Sequence, residues 1–317
     1  MGNLGDIHKA RERIQPFIHQ TPILHSSQLS KRCQNNIFLK AEHLQKTGSF
    51  KIRGAANKVM QEVAKGTTYV TAASSGNHGQ AVAYVAQTLG IPSTIVVPED
   101  ANVSKVKAIQ SYHGNIVACG LTSAERIPKA KELAIEKQGV YIPPYDDPLI
   151  IFGQGTVGLE IIEQVKDADI VVVPVGGGGL IAGILTAIKE TNPSIQVIGV
   201  EPEAANDTYL SLKNGHITQI SPTSTIADGL RTSQPGDLTF PILQNYLDDL
   251  VLVSEEEIKQ ALLFVMERMK QLIEPSSATT VAACLSEKLQ VLNKRIVCVI
   301  SGGNVDVHTI EPMLAGL

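Results

Sequence analysis

The chain has 317 residues, of which 43% are hydrophobic and 18% charged, with a formal net charge of -4. This is a globular balance with room for two compact lobes, and it excludes both a disordered chain and the basic face that nucleic-acid binding requires. Its four cysteines, Cys33, Cys119, Cys284 and Cys298, show no CxxC spacing, so packed reduced thiols are expected rather than a zinc site or a disulfide framework.

The N-terminus, MGNLGDIHKARERIQPF, has no apolar segment ahead of a cleavage site, and Asp6 breaks the myristoylation pattern that Gly2 begins. No uncharged apolar run reaches spanning length, so the expectation is a cytoplasmic chain with no membrane partner. Short β-branched runs follow at Thr68–Ala73, Ser93–Val97, Asn115–Val117 and Val140–Ile142. Segments of helical length separate them, among them Gly79–Leu89, Ser104–Tyr112 and Ala124–Glu136. Further runs lie at Ile170–Val175, Gln196–Val200, Leu250–Val253 and Ile296–Ile300. These are apolar throughout rather than alternating, as in strands covered on both faces. The alternation predicts an α/β fold of open, mostly parallel twisted sheets with helices. The strand grouping predicts a small domain over 38–140 and a large domain from 1–37 and 141–317, with the N-terminal helix folded back onto the latter. Ligands of such sheets sit beyond the carboxyl ends of the strands, where the glycine-rich segments fall.

Gly176, Gly177, Gly178 and Gly179 stand between IVVVPV and the helical LIAGILTAIKE. Without Cβ atoms, backbone N–H groups can converge on an anion, and the following helix adds its positive end. No GK[ST] follows and the spacing is not GxGxxG, so this is a phosphate cradle of another kind; the plain alternative is a tight strand–helix turn. In GSFKIRG, Lys51 sits between Phe50 and Ile52 at the start of a helical pattern. An amine in partly apolar surroundings loses its proton and becomes the nucleophile that a Schiff-base lysine must be. SSGNHGQ, from Ser74 to Gln80, opens a helix after TYVTAA, with its hydroxyls and amides directed at a crevice. A simple helix cap accounts for one of these residues but not all seven. SGGN, from Ser301, again follows an apolar strand.

Together these four segments resemble the fold-type-II pyridoxal-phosphate enzymes, in the serine racemase and serine/threonine dehydratase branch, whose fold is like that of the tryptophan synthase β chain. The resemblance runs from TPI at Thr21 to SGGNVD at Asp306. It implies that Lys51 bears the cofactor, Phe50 packs near its ring, Asn77 bonds the ring hydroxyl, Gly176–Gly179 hold the phosphate and Ser301 faces the ring nitrogen. A hydroxyl there makes the ring a weaker electron sink than a carboxylate would. Ser74, Ser75, Asn77, His78 and Arg126 are the implied substrate contacts, although Arg126 also reads as an ordinary helix-surface arginine.

Racemisation needs an acid–base group on each face of Cα. The resemblance assigns Lys51 to one face and Ser75 to the other, where many dehydratases of the branch carry alanine. The segment PPYDDP at Pro143–Pro148 looks instead like the dehydratases and plant-type racemases. The expected activity is interconversion of L- and D-serine with accompanying elimination to pyruvate and ammonia; the alternative is an ammonia-lyase acting on threonine, serine or 3-hydroxyaspartate. Glu201, the carbonyl of Ala205 and Asp207 could form a hard oxygen site for Mg²⁺, Ca²⁺ or Mn²⁺ or be merely an acidic loop, and the resemblance favours the metal. Ser26, Ser27, Lys46, Thr47, Tyr112 and Lys270 match a nucleotide pattern, implying ATP as an activator at the interface of a homodimer, though such a cluster also reads as surface polarity. Little chain follows Ser301, so an isoleucine-sensing domain is not expected. A β-replacement enzyme would be expected to carry a different loop from SSGNHG, and a non-catalytic sensor would not need Lys51 between Phe50 and Ile52.

Overall fold

The computed structural model describes residues 2–74 and 76–315. In chain order its strands are β1 (Ile23–His25), β2 (Asn36–Ala41), β3 (Val70–Ala73), β4 (Ser93–Val97), β5 (Asn115–Ala118), β6 (Val140–Tyr141), β7 (Ile170–Pro174), β8 (Gln196–Pro202), β9 (Asp249–Val253) and β10 (Arg295–Ile300). The helices before β7 are α1 (Leu4–Ile14), α2 (Ser27–Cys33), α3 (Lys51–Ala64), α4 (Asn77–Thr88), α5 (Val103–Ser111), α6 (Ser123–Glu136) and α7 (Pro148–Gln164). After it come α8 (Gly179–Thr191), α9 (Asp207–Asn214), α10 (Thr239–Tyr246), α11 (Glu255–Phe264), α12 (Pro275–Leu285) and α13 (Val307–Leu314). Among the described residues no helix is long and apolar enough to cross a membrane.

A six-stranded sheet has the order β1-β2-β10-β7-β8-β9, and a four-stranded sheet the order β5-β4-β3-β6. Every pairing is parallel except β1 with β2. The α/β expectation of two mostly parallel sheets therefore holds. The apolar run of β7 shows why it is unbroken. Ile170 and Val172 face one core, with α11 and α12, while Val171 and Val173 face another, with α7 and α8. Period-two alternation thus puts both sets of side chains under helices.

The domain boundary needs correction. The break expected at Phe38 falls inside β2, which lies between β1 and β10 in the larger sheet; the smaller sheet begins only at Val70. At the other end Tyr141, expected on the large side, pairs with Thr71 of β3 in the smaller sheet. In the N-terminal helix Ile7 packs with Leu159 of α7 and Ala187 of α8, while Ile14 enters the core under the smaller sheet.

Candidate active site

The glycine segment lies directly between β7 and α8, as its sequence position requires. Gly178 has φ +87°, a left-handed conformation suited to glycine, and an added Cβ would lie 2.7 Å from Thr239 Oγ1. A Cβ on Gly177 would lie 2.5 Å from the ring of Tyr145. Among the described residues no side chain caps α8, so its first-turn N–H groups keep their donors and the positive helix end for an anion.

Lys51 is the first residue of α3, and its Nζ donates to the carbonyl of Pro144 at 2.8 Å. The next residue, Tyr145, is the one packed on the glycine turn, so one dipeptide joins the amine to the anion cradle. Burial pushes Lys51 down from 10.5 to about 8, against the opposing pull of Glu274. The amine therefore gives up its proton more readily than a surface lysine, as covalent capture of an aldehyde requires. Phe50 stands beside it, with Nζ 5.2 Å from the ring centroid.

Phe50 N–H donates to the carbonyl of Ser301 at 3.0 Å, which ties the start of α3 to the end of β10. The Ser301 hydroxyl lies 3.0 Å from that of Ser277, and either can donate. Asn77 begins α4 and is fixed at both ends of its amide. Its Nδ2 donates to both oxygens of Glu274 at 3.0 Å, and its Oδ1 accepts from Asn304 at 2.8 Å. Burial and the charge of Asp228 push Glu274 up to about 7. His78 Nε2 donates to the carbonyl of Ile142 at 2.8 Å; burial, then the charge of Lys51, push the ring down to about 3, so it is neutral and committed to the backbone. Ser74 Oγ accepts from Gly76 N–H at 3.1 Å. Ser75 lies outside the described residues.

The structure thus brings Lys51, Phe50, Asn77, Ser301 and the glycine turn together through short links. Arg126 stands apart from that chain of contacts, where its NH1 donates to the carbonyl of Leu121 and its NH2 to Ser123, within its own helix start. Glu274 and Thr239 are participants that sequence reasoning did not single out, and Tyr145 entered it only within the segment Pro143–Pro148. The one local signal for Glu274 is Pro275 after it, at the first position of α12, which marks Glu274 as a helix N-cap.

A second cluster lies at the end of β8. Glu201 accepts from the N–H groups of Thr208 and Tyr209 at 3.0 and 2.9 Å, and Asp207 accepts from Thr232 Oγ1 at 3.3 Å. Both carboxylates and Ala205 are buried, and among the described residues neither acid pairs with a Lys, Arg or His. Burial and the nearby Asp207 push Glu201 up to about 8, and burial pushes Asp207 up to about 7. Two uncompensated buried acids fit a hard cation. Among the described residues no group of three or more His, Cys, Asp or Glu could hold a metal, so any ligation here needs carbonyls and water as well.

Of the nucleotide residues, Ser26 and Ser27 lie side by side at the start of α2. Ser26 and Ser27 line a cleft of ≈ 340 Å³ with Arg268, Met269 and Gln271, and none of Lys46, Thr47, Tyr112 or Lys270 lines it. Tyr112 packs edge-on against Tyr84, Lys46 donates to the carbonyl of Pro16 at 3.1 Å, and Lys270 donates to the carbonyl of Glu267. Thr47 is buried, and its hydroxyl has no partner among the described residues.

The model of the pyridoxal-phosphate dependent enzyme family matches residues 14–302. A serine racemase of Dictyostelium discoideum is 44% identical over 98% of this chain and 97% of its own length. A catabolic L-threonine dehydratase of Escherichia coli K12 is 44% identical over 97% of this chain and 94% of its own. The solved maize serine racemase superposes with a TM-score of 0.94 at 38% identity, covering 98% of this chain and 96% of that one. With matches of this extent laid over a buried lysine and an uncapped glycine turn, the chain belongs to the pyridoxal-phosphate-dependent enzymes, among their amino-acid racemases and ammonia-lyases.

Proposed function

We propose that this enzyme interconverts L- and D-serine and also eliminates water from serine to give pyruvate and ammonia, with Lys51 as the cofactor-bearing residue. The carrying observation is the Lys51 amine, lowered to about 8 and joined through Pro144 and Tyr145 to the glycine turn. When bound, pyridoxal phosphate supplies the electron sink that makes the α-proton of an amino acid removable. Gly176–Gly179 and the first turn of α8 would hold its phosphate. Asn77, fixed by Glu274 and Asn304, would present its amide to the ring hydroxyl, and Ser301 its hydroxyl to the ring nitrogen. Lys51 takes and returns the α-proton on one face, and Ser75 serves the other. Neutral His78 adds no charge beside Lys51.

Lys51→Ala is expected to abolish both the absorbance of lysine-bound cofactor and all turnover; activity retained without added amine would assign the wrong lysine. A chiral product assay with L-serine that also measures pyruvate tests the two-face reading. Ser75→Ala should remove D-serine formation, by about 10²–10⁴-fold, while pyruvate continues to form from L-serine. If the unmodified enzyme makes only pyruvate from serine, or 2-oxobutyrate from threonine, and never D-serine, the ammonia-lyase alternative stands. That alternative has its own support in the threonine dehydratase relative.

The buried pair Glu201 and Asp207, with the carbonyl of Ala205, would hold Mg²⁺, Ca²⁺ or Mn²⁺ in a structural or activating role. ATP as an activator, a homodimer and a cytoplasmic location complete the reading. The nucleotide rests on the resemblance alone; of its six residues only Ser26 and Ser27 line the cleft beside Arg268.

A further inference from the structure

Helix α7 lies between the two helices that carry the ends of the site. Lys51 opens α3 and the glycine turn opens α8. At both crossings α7 meets its neighbour backbone to backbone. A Cβ on Gly153 of α7 would stand 2.5 Å from the carbonyl oxygen of Arg53 and 2.6 Å from Gly54 Cα, both on α3. On the opposite side, a Cβ on Gly183 of α8 would stand 2.5 Å from Gly155 N, and one on Gly155 would stand 2.9 Å from the carbonyl oxygen of Gly183. Real Cβ contacts do not come this close, and the opposing atoms are backbone, so a methyl group there has to push the helices apart.

An independent lock fixes the rotation of α3 on α7. The Arg53 guanidinium, two residues past Lys51, donates to Glu160 of α7 at 2.7 and 2.9 Å and to Thr156 of α7 at 3.1 Å. The same group donates to Glu42 at 2.7 and 2.8 Å. Arg53 and Glu42 have no exposed side-chain surface and Glu160 almost none. A planar fork held on two sides permits little sliding.

We propose that α7 is a spacer of fixed width between the lysine and the anion cradle, and that Gly153, Gly155, Gly183 and Arg53 are positioning residues setting that span for a rigid two-ended ligand. The inference rests on the cofactor reading above. Pyridoxal phosphate engages both ends through one small rigid frame. A changed span leaves each end able to bind its own half and penalises only the joined molecule, because linked binding fails when geometry forbids simultaneous engagement.

The test uses the full-length chain freed of cofactor. Pyridoxal probes the lysine end, inorganic phosphate the cradle, and pyridoxal phosphate both, with binding followed by absorbance and calorimetry alongside the thermal midpoint. Gly153→Ala and Gly183→Ala should bind each half within about 2-fold of wild type and the joined cofactor at least about 10-fold more weakly. Gly158→Ala is the milder member of the series, since its Cβ would meet Ala187 Cβ at 2.9 Å; it should show a smaller loss of the same kind and keeps the test open if the stronger variants do not fold. Leu262→Ala opens a cavity in the core on the other face of the larger sheet; it should lower the thermal midpoint without changing the ratio of joined to separate affinities. The spacer proposal alone is overturned if the halves weaken in step with the whole, or if cofactor affinity stays unchanged in every folded glycine variant. Wild-type protein that gains no lysine-bound absorbance would overturn the cofactor reading as well.

Discussion

The buried charges around Arg53 and those at Glu201 and Asp207 are built in opposite ways. Around Arg53, two cations meet two anions. Lys40 donates to Glu160, to the carbonyl of Thr21 at 2.8 Å and to Gln164 at 2.8 Å, while Arg53 is forked between Glu42 and Glu160. Burial opposes the charge of Glu42, but Arg53 and Lys40 outweigh it and hold the carboxyl below its usual range. At Glu201 and Asp207, two buried carboxyl groups meet no cation among the described residues, and both are pushed above that range. The first cluster is complete within the chain, whereas the second lacks positive charge. A saturated network of this kind does structural work and needs no ligand; an unsaturated pair of buried acids has a strong physical reason to take one.

The largest expected effect comes from breaking the saturated cluster. Arg53→Met leaves Glu42 and Glu160 buried with Lys40 as the remaining cation and should cost about 3–5 kcal/mol in a urea titration. Adding Glu42→Gln and Glu160→Gln to the same chain should recover part of that loss. A single variant as stable as wild type would mean that Arg53 carries no net structural role. The next effect comes from completing the other cluster. Mg²⁺ or Ca²⁺ added after chelation should stabilise the protein by about 2.7 kcal/mol at a hundredfold excess over its dissociation constant, read as a rise in thermal midpoint. If chelation and re-addition change neither midpoint nor activity, the cation assignment is lost.

Asp207→Asn sharpens the contrast with a smaller effect. In the presence of chelator it removes an uncompensated acid, so it should leave stability unchanged or raise it by about 1 kcal/mol while abolishing the metal response. A large loss in chelator would place Asp207 with the saturated kind. Lys51 supplies a comparison with almost no effect on the fold. In cofactor-free protein its capture by a small aldehyde should rise with pH and level off above about 8, since the neutral amine reacts. A surface lysine would still be climbing towards about 10.4. A Lys51 profile that follows the surface lysines would show that burial does not tune this amine.

The sequence by itself determined the runs buried on both faces, including Ser93–Val97 and Ile170–Val175, because unbroken β-branched stretches between helical segments have few other solutions. It also singled out the glycine segment and Lys51, which the structure places at the starts of α8 and α3. It did not locate β2, a short strand of mixed character whose Lys40 reads as a surface residue and is in fact buried against Glu160. Nor did it single out Glu274, whose partner Asn77 lies 197 residues away, or separate the saturated acids from the unsaturated ones. Only the tertiary structure decided these. Periodicity and turn chemistry act over a few residues, whereas the fate of a buried charge is set by which opposite charge the fold brings to it from a distant part of the chain.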